Sequence, residues 1–213
     1  MDYLKKDERK NIVVFVIPRG GIIVADIIAR KLKINDTDII IPRKLATPHN
    51  QENAFGAIME DGSTFIDKRV ADALSISNHY IEIEKQRQMQ EMQRRALVYR
   101  KYNKKILIEY SDKINDSEKT IILVDDGAAS GATLIVAARW LKKRNEHKFK
   151  KLIIAVPVAP KETADILKEE CDHLEIITKP SMSNFHSVSH YYKDFLPIDD
   201  EQVLEILKKW NNN

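Results

Sequence analysis

The sequence predicts an α/β protein whose mostly parallel sheet is flanked by helices. Three observations carry the prediction: short uninterrupted apolar runs, helical patterns between them, and tight small-residue loops directly after two of the runs. An unbroken apolar run suits a strand buried on both faces, as in a parallel sheet covered by helices. Ile12–Ile17, Asp38–Ile41, Thr120–Val124 and Leu152–Val156 read as such strands, and Leu174–Thr178 adds a fifth. Helical patterns follow in the intervals. Ile22–Leu32 comes after Pro-Arg-Gly-Gly, Ala132–Lys143 after a glycine, Lys161–Glu170 after a proline, and a last helix covers residues 199–210.

Two segments break this rhythm. Asp67–Lys101 reads as one or two long helices, very polar from Glu82 to Arg95, and is expected to be solvated or to contact another subunit. Residues 44–63 are poor in periodicity and hold Pro48, His49, Asn50, Gly56 and Gly62. They read as a long loop or loose hairpin, of the kind that serves as a mobile active-site lid.

Composition bounds the partners. The 213 residues suit a single domain over 1–213, with its core in 11–178; apolar residues make up 43% and charged residues 31%. A net charge of +3 falls short of the concentrated field of a dedicated nucleic-acid binder. Cys171 is the single cysteine, so no intrachain disulfide forms. No apolar run approaches the ~20 residues that cross a bilayer, and the N-terminus lacks a signal peptide's apolar stretch. A cytoplasmic location without membrane partners is expected.

The strongest local signal is Thr120–Leu134, TIILVDDGAASGATL. An apolar strand ends in Asp125 and Asp126, at the edge where open α/β sheets bind ligands. Gly127, Ala128, Ala129, Ser130, Gly131, Ala132 and Thr133 follow, all small, and open a helix near Ala132. Such a chain can bring successive N–H groups close to an anion, with the helix dipole adding positive potential. Thr133 offers a hydroxyl donor. The two carboxylates can accept from vicinal hydroxyls or hold Mg²⁺ directly or through water. An Asp-Asp-Gly triplet alone is usually a turn; the complete order of strand, acids, small residues and Gly-x-Thr is far more specific. It lacks the Gly-Lys-Ser/Thr of a Walker A loop.

This stretch resembles the phosphoribosyl-diphosphate motif of type I phosphoribosyltransferases. The resemblance implies that Asp125 and Asp126 bind the ribose hydroxyls and that Ala128–Thr133 cradle the 5′-phosphate. In that fold the loop after the first core strand binds diphosphate, often through a cis peptide. Pro18, Arg19, Gly20 and Gly21 occupy that place here; glycines permit close backbone approach and Arg19 offers a fork of donors. Arg43 and Lys44, at the base of the expected lid, could neutralise a leaving diphosphate.

Together with RKLATPHNQENAFGAI and the F-x-x-V-x-x-x-Y-x-D-F spacing of Phe185–Phe195, these motifs resemble a less characterised branch of predicted phosphoribosyltransferases, over Ile12 to Leu207. Members of that branch usually carry a longer leader. The resemblance implies a small hood over 180–198, with Phe185, Tyr191 or Tyr192 stacking on a planar base and Asp194 accepting from a ring N–H. His186 and His190 lack a third ligand at a useful spacing, so no metal site is assigned to them.

The implied reaction transfers the 5-phosphoribosyl group of phosphoribosyl diphosphate to a nitrogenous base, with Mg²⁺ as cofactor and a homodimer or higher homo-oligomer as the assembly. Arg19, Lys44, Asp125 and Asp126 are the expected catalytic set. Hypoxanthine-guanine enzymes carry a further Asp four positions after the first acid; Ala129 stands there, which argues against a 6-oxopurine acceptor. A regulatory protein that senses phosphoribosyl diphosphate is the alternative, and the modest charge speaks against its binding nucleic acid. Diphosphate transfer, as in the related synthetase, is weaker because no adenine-nucleotide loop is recognisable.

Overall fold

The computed structural model describes residues 11–48, 50–100, 118–144 and 149–211; His49 in the expected lid, Lys101 at the end of the polar helix and residues 212–213 lie outside the described residues. Strand β1, Ile12–Val16, lies between β2, Thr37–Ile39, and a strand much later in the chain. Every residue of β1 is buried, since helices cover both sheet faces. Ile12, Val14 and Val16 enter one apolar cluster, whereas Val13, Phe15 and Ile17 enter the other. Helix α1, Gly21–Leu32, supplies Ile22, Ala25 and Leu32 to the first cluster.

Residues 43–66 form a second, antiparallel sheet: β3, Arg43–Thr47, β4, Asn50–Ile58, and β5, Thr64–Ile66. The segment expected as a loop or loose hairpin is thus a hairpin extended by a third strand. Its buried Leu45, Phe55 and Ile58 join the first cluster, and its buried Ala57 and Met59 join the second. Register shifts between Leu45 and Thr47 break the two-residue alternation that would have advertised these strands.

Helix α2, Lys68–Ala73, starts at Asp67, whose carboxylate accepts from the Arg69 N–H at 3.0 Å. Helix α3, Asn78–Arg100, departs from the expected solvated helix. Glu84, Gln88 and Arg95 are only 2%, 6% and 8% exposed, because the polar face packs under β3 and along the cleft described below. Met92, Ala96 and Tyr99 continue the buried stripe into the core.

The remaining elements are β6, Thr120–Val124, α4, Ala132–Arg144, β7, Lys151–Val158, α5, Lys161–Lys168, β8, His173–Thr178, and α6, Asp200–Asn211. The main sheet has the order β2-β1-β6-β7-β8, with every neighbouring pair parallel. Helix α4 packs in the second apolar cluster, opposite α1, α3 and α6. The crossovers from β1 and β6 therefore leave on opposite faces, and a crevice opens between the carboxyl ends of these two strands. Among the described residues no helix is long and apolar enough to cross a membrane.

Candidate active site

A cleft of about 680 Å³ occupies this crevice. Its floor is made by two loops that meet across the switch point. Pro18–Gly20 follow β1 and Asp125–Thr133 follow β6, and all of them line the cleft. The Pro18–Arg19 peptide bond is cis. The loops touch so closely that a Cβ on Gly20 would lie 1.8 Å from Asp126 Oδ2, and one on Gly21 would lie 3.0 Å from Asp125 Cα. A Cβ at position 20 would therefore displace the Asp126 carboxylate from its place beside this loop.

Asp125 is 9% exposed, and its Oδ1 accepts the Asp126 N–H at 2.8 Å. Burial pushes the Asp125 carboxyl well above the usual range, and the charge of Asp126 raises it further, while Lys44 opposes both. Burial raises Asp126 as well, again against Lys44. Burial thus disfavours the charged form of the pair, which a cation or hydroxyl donors would stabilise. Among the described residues no group of three or more His, Cys, Asp or Glu could hold a metal ion. Two carboxylates fit Mg²⁺ nonetheless, because that ion keeps waters and takes substrate oxygens beside one or two protein ligands.

The small-residue loop is anchored from behind. Ala128 N–H donates to the Val158 carbonyl at 2.9 Å, and Thr163 Oγ1 donates to the Ala129 carbonyl at 2.6 Å. Gly131 has φ +74°, which turns the chain into α4. Among the described residues, the N–H groups of Ala129, Ser130 and Gly131 have no protein acceptor, which leaves them available to an anion.

Arg43 and Lys44 line the cleft from β3, Gln88 and Arg95 from α3, and Val188, Tyr192 and residues 194–198 from the C-terminal segment. The Tyr192 hydroxyl donates to the Asp126 carbonyl at 2.5 Å, and Val188 lies so close that a Cβ on Gly127 would sit 2.6 Å from it. This segment therefore closes over the acidic loop.

Residues 2–193 match the phosphoribosyl transferase domain family. The chain belongs to that family. Two proteins of Mycobacterium tuberculosis, strains CDC 1551 and H37Rv, both named "putative phosphoribosyl transferase", are 30% identical to it over 200 residues. The match covers 94% of this chain and 42% of theirs, so the chain spans less than half the length of those relatives. The crystal structure of TT1426 from Thermus thermophilus is 32% identical and superposes with a TM-score of 0.69, covering 94% of this chain and 88% of that one. The parallel sheet flanked by helices is the type I phosphoribosyltransferase fold.

Within this phosphoribosyltransferase domain, Pro18, Arg19, Gly20, Arg43, Lys44, Asp194 and the whole run Asp125–Thr133 border one cleft; Gly21 packs directly beneath it against Asp125. Phe185 and Tyr191 do not line the cleft. Their rings stack on each other at 5.7 Å, and the Tyr191 hydroxyl donates to the Asn184 carbonyl. Tyr192 and Phe195 take the facing positions instead, with ring centroids 5.0 Å apart. His186 and His190 also stack on each other, at 5.4 Å. The sequence reasoning missed Gln88 and Arg95. Their signal was the four- and three-residue spacing Glu84, Gln88, Met92, Arg95, which puts them on the same helix face as buried Met92.

Proposed function

We propose that this phosphoribosyltransferase domain transfers the 5-phosphoribosyl group of phosphoribosyl diphosphate to a nitrogenous base other than a 6-oxopurine, releasing diphosphate. The observation that carries the proposal is the contact between the Pro18–Gly21 loop and the Asp125–Asp126 pair across the switch point. It supports this reading because an arginine-bearing loop, two carboxylates and a small-residue loop border the same cleft of about 680 Å³.

In the reaction the bond from C1 of the ribose to the diphosphate oxygen breaks and a bond from C1 to a ring nitrogen forms. The ring nitrogen loses its proton, to diphosphate or water. Asp125 and Asp126 hold the ribose hydroxyls and face the positive charge that develops at the ring. The 128–133 loop holds the 5′-phosphate through the N–H groups of Ala129, Ser130 and Gly131, with Thr133 as hydroxyl donor. Arg19 and Lys44 take charge from the leaving group, Arg43 helping. Asp125 and Asp126 would hold Mg²⁺, directly or through water, and the ion would supply charge neutralisation for the leaving group. The β3–β4 hairpin and the 188–198 segment limit water at C1, where hydrolysis would waste the donor.

For the acceptor, Tyr192 and Phe195 offer aromatic faces, and Asp194, between them in sequence, lines the same cleft. Ala129 places a methyl group where a 6-oxopurine enzyme has its additional acid, which supports a different base. A cytoplasmic homodimer or higher homo-oligomer working in nucleotide salvage completes the proposal.

The test is a panel of nucleobases incubated with phosphoribosyl diphosphate and Mg²⁺, with diphosphate release as the readout. Turnover with adenine, a pyrimidine or another non-6-oxopurine base is expected to lead the panel. Guanine or hypoxanthine in the lead overturns the acceptor argument. Tight donor binding with no base consumed favours a phosphoribosyl-diphosphate sensor.

A further inference from the structure

The two edges of the main sheet differ in character. Strand β2 has three residues, all buried, whereas β8 has six, His173–Thr178, and among the described residues its one sheet neighbour is β7. An edge of this length is a template for another strand, and proteins commonly blunt such edges by shortening, proline or charge. Ile177, near the end of β8, is 87% exposed, more than any other large hydrophobic residue among those described. Lys179, just beyond it, is exposed too.

The backbone fixes which residues look outward. The Asp172 N–H donates to the Leu152 carbonyl at 2.9 Å, and the Thr178 and Pro180 carbonyls accept from the Ala159 and Lys161 N–H groups at 3.2 and 2.8 Å. Even-numbered residues thus point their backbone polar groups inward, toward β7 and the start of α5, and the odd-numbered Glu175, Ile177 and Lys179 point theirs outward. Pro180 falls in the inward set, so its missing N–H leaves no gap in the outer edge. Side chains alternate as well. Leu174 and Ile176 pack against the second apolar cluster, which sets Glu175, Ile177 and Lys179 together on the other face. Glu175 Oε1 lies 2.8 Å from His173 Nε2, its neighbour on that face.

We propose that β8 is a homodimer interface, at which the edge strands of two copies of this chain pair antiparallel about a two-fold axis at Ile177. The charge order of the edge selects a second copy as the occupant. With the axis at Ile177 the two isoleucines meet, and each Glu175 stands directly opposite Lys179 of the other copy. Residues opposite each other in an antiparallel pair have Cβ atoms about 4.5–5.5 Å apart, and opposite charges there favour pairing. An axis at Ile176 would instead set His173 against Lys179, and an axis at Glu175 would set two glutamates against each other. A two-fold interface requires self-complementarity, because residue i meeting j implies j meeting i. A lone lysine would only blunt the edge; a glutamate and a lysine placed evenly about an exposed isoleucine let the edge pair with itself. The inference gives a surface to the homo-oligomer proposed above and does not depend on the reading of the cleft.

Sedimentation equilibrium of the full chain tests the proposal. Wild type is expected to form a dimer. Ile177→Asp sets two carboxylates across the axis, and Lys179→Glu sets a glutamate opposite Glu175; each should raise the dimer Kd about tenfold or more. Reversing both charges, in Glu175→Lys/Lys179→Glu, restores the complementary order and should return the Kd to within about threefold of wild type. Both Ile177 and Lys179 are exposed, so the single variants should keep the wild-type urea midpoint. A monomeric wild type overturns the interface. A wild-type dimer that Ile177→Asp leaves equally tight overturns it as well, since the contact then lies elsewhere. Weakening by both single changes without recovery in the charge swap overturns the two-fold pairing. Failure to consume any nucleobase bears on the cleft alone, and the dimer measurements still decide this interface.

Discussion

Asp125 and Asp126 are held in the cleft at the expense of stability. Both carboxyls titrate above their ordinary value because burial disfavours the charged form. A carboxyl raised in the folded state keeps a proton that the unfolded chain has already lost, so its contribution to stability falls as pH rises above about 4. Asp125→Asn should therefore gain stability relative to wild type between about pH 4 and pH 8, measured as urea unfolding free energies across that range. A variant that gains nothing, or gains most at the acid end, contradicts the burial argument. The same change should harm binding. Asp125→Asn/Asp126→Asn should weaken phosphoribosyl diphosphate by about 1.5–3 kcal/mol for each charged hydrogen bond lost, and unchanged calorimetric affinity would remove these residues from the site. Both acids were legible in the sequence because they end an apolar strand and precede a run of small residues. Gln88 and Arg95 were not, because a polar helix face usually means water; here it means a cleft.

Between elements, the critical contact joins the acidic loop to the C-terminal segment. Gly127 faces Val188, whose two methyl carbons would lie 2.6 and 2.8 Å from an added Cβ. Gly127→Ala should push the segment outward and lower kcat/KM for the best acceptor base, an effect of about tenfold if ~1.4 kcal/mol is lost. Val188→Ala removes both clashing methyls, so Gly127→Ala/Val188→Ala should recover activity beyond the sum of the single effects. Strict additivity would mean that the two residues do not meet. Strands β1, β6 and β7 were readable as apolar runs, since burial on both faces removes the need for alternation. The β3–β5 sheet was readable only as a hairpin, because its register shifts scramble the inward and outward pattern. The 180–198 segment turns through short 3₁₀ pieces without a steady period. Phe185, Tyr191 and Tyr192 looked equivalent in sequence and Phe195 was not singled out; only the fold separates the pair that stacks on itself from the pair facing the cleft.

The body of the domain is closed by its last helix. Val203, Ile206 and Leu207 of α6 enter the same apolar cluster as Val14, Ile22 and Tyr99. Polar contacts fix its two ends: Asp200 accepts from the Tyr99 hydroxyl at 2.7 Å, and Trp210 Nε1 donates to Asp26 at 3.1 Å. Leu207→Ala should cost about 2–5 kcal/mol of unfolding free energy by transfer and cavity terms, and a urea midpoint unchanged from wild type would show that α6 is dispensable. The α/β class and the crevice at its switch point follow from strand and loop order, which is local information. The closure of the cleft depends on pairs far apart along the chain, to which local patterns are blind. The Tyr192 hydroxyl and the Asp126 carbonyl it reaches are 66 positions apart. At ribosomal speeds of about 5–20 residues per second, the carboxylate loop emerges several seconds before the tyrosine that pins it. During synthesis the domain therefore owns a sheet and its small-residue loop before it owns the segment that covers them. Any newborn chain that folds early passes through an interval in which its two neighbouring acids face open water.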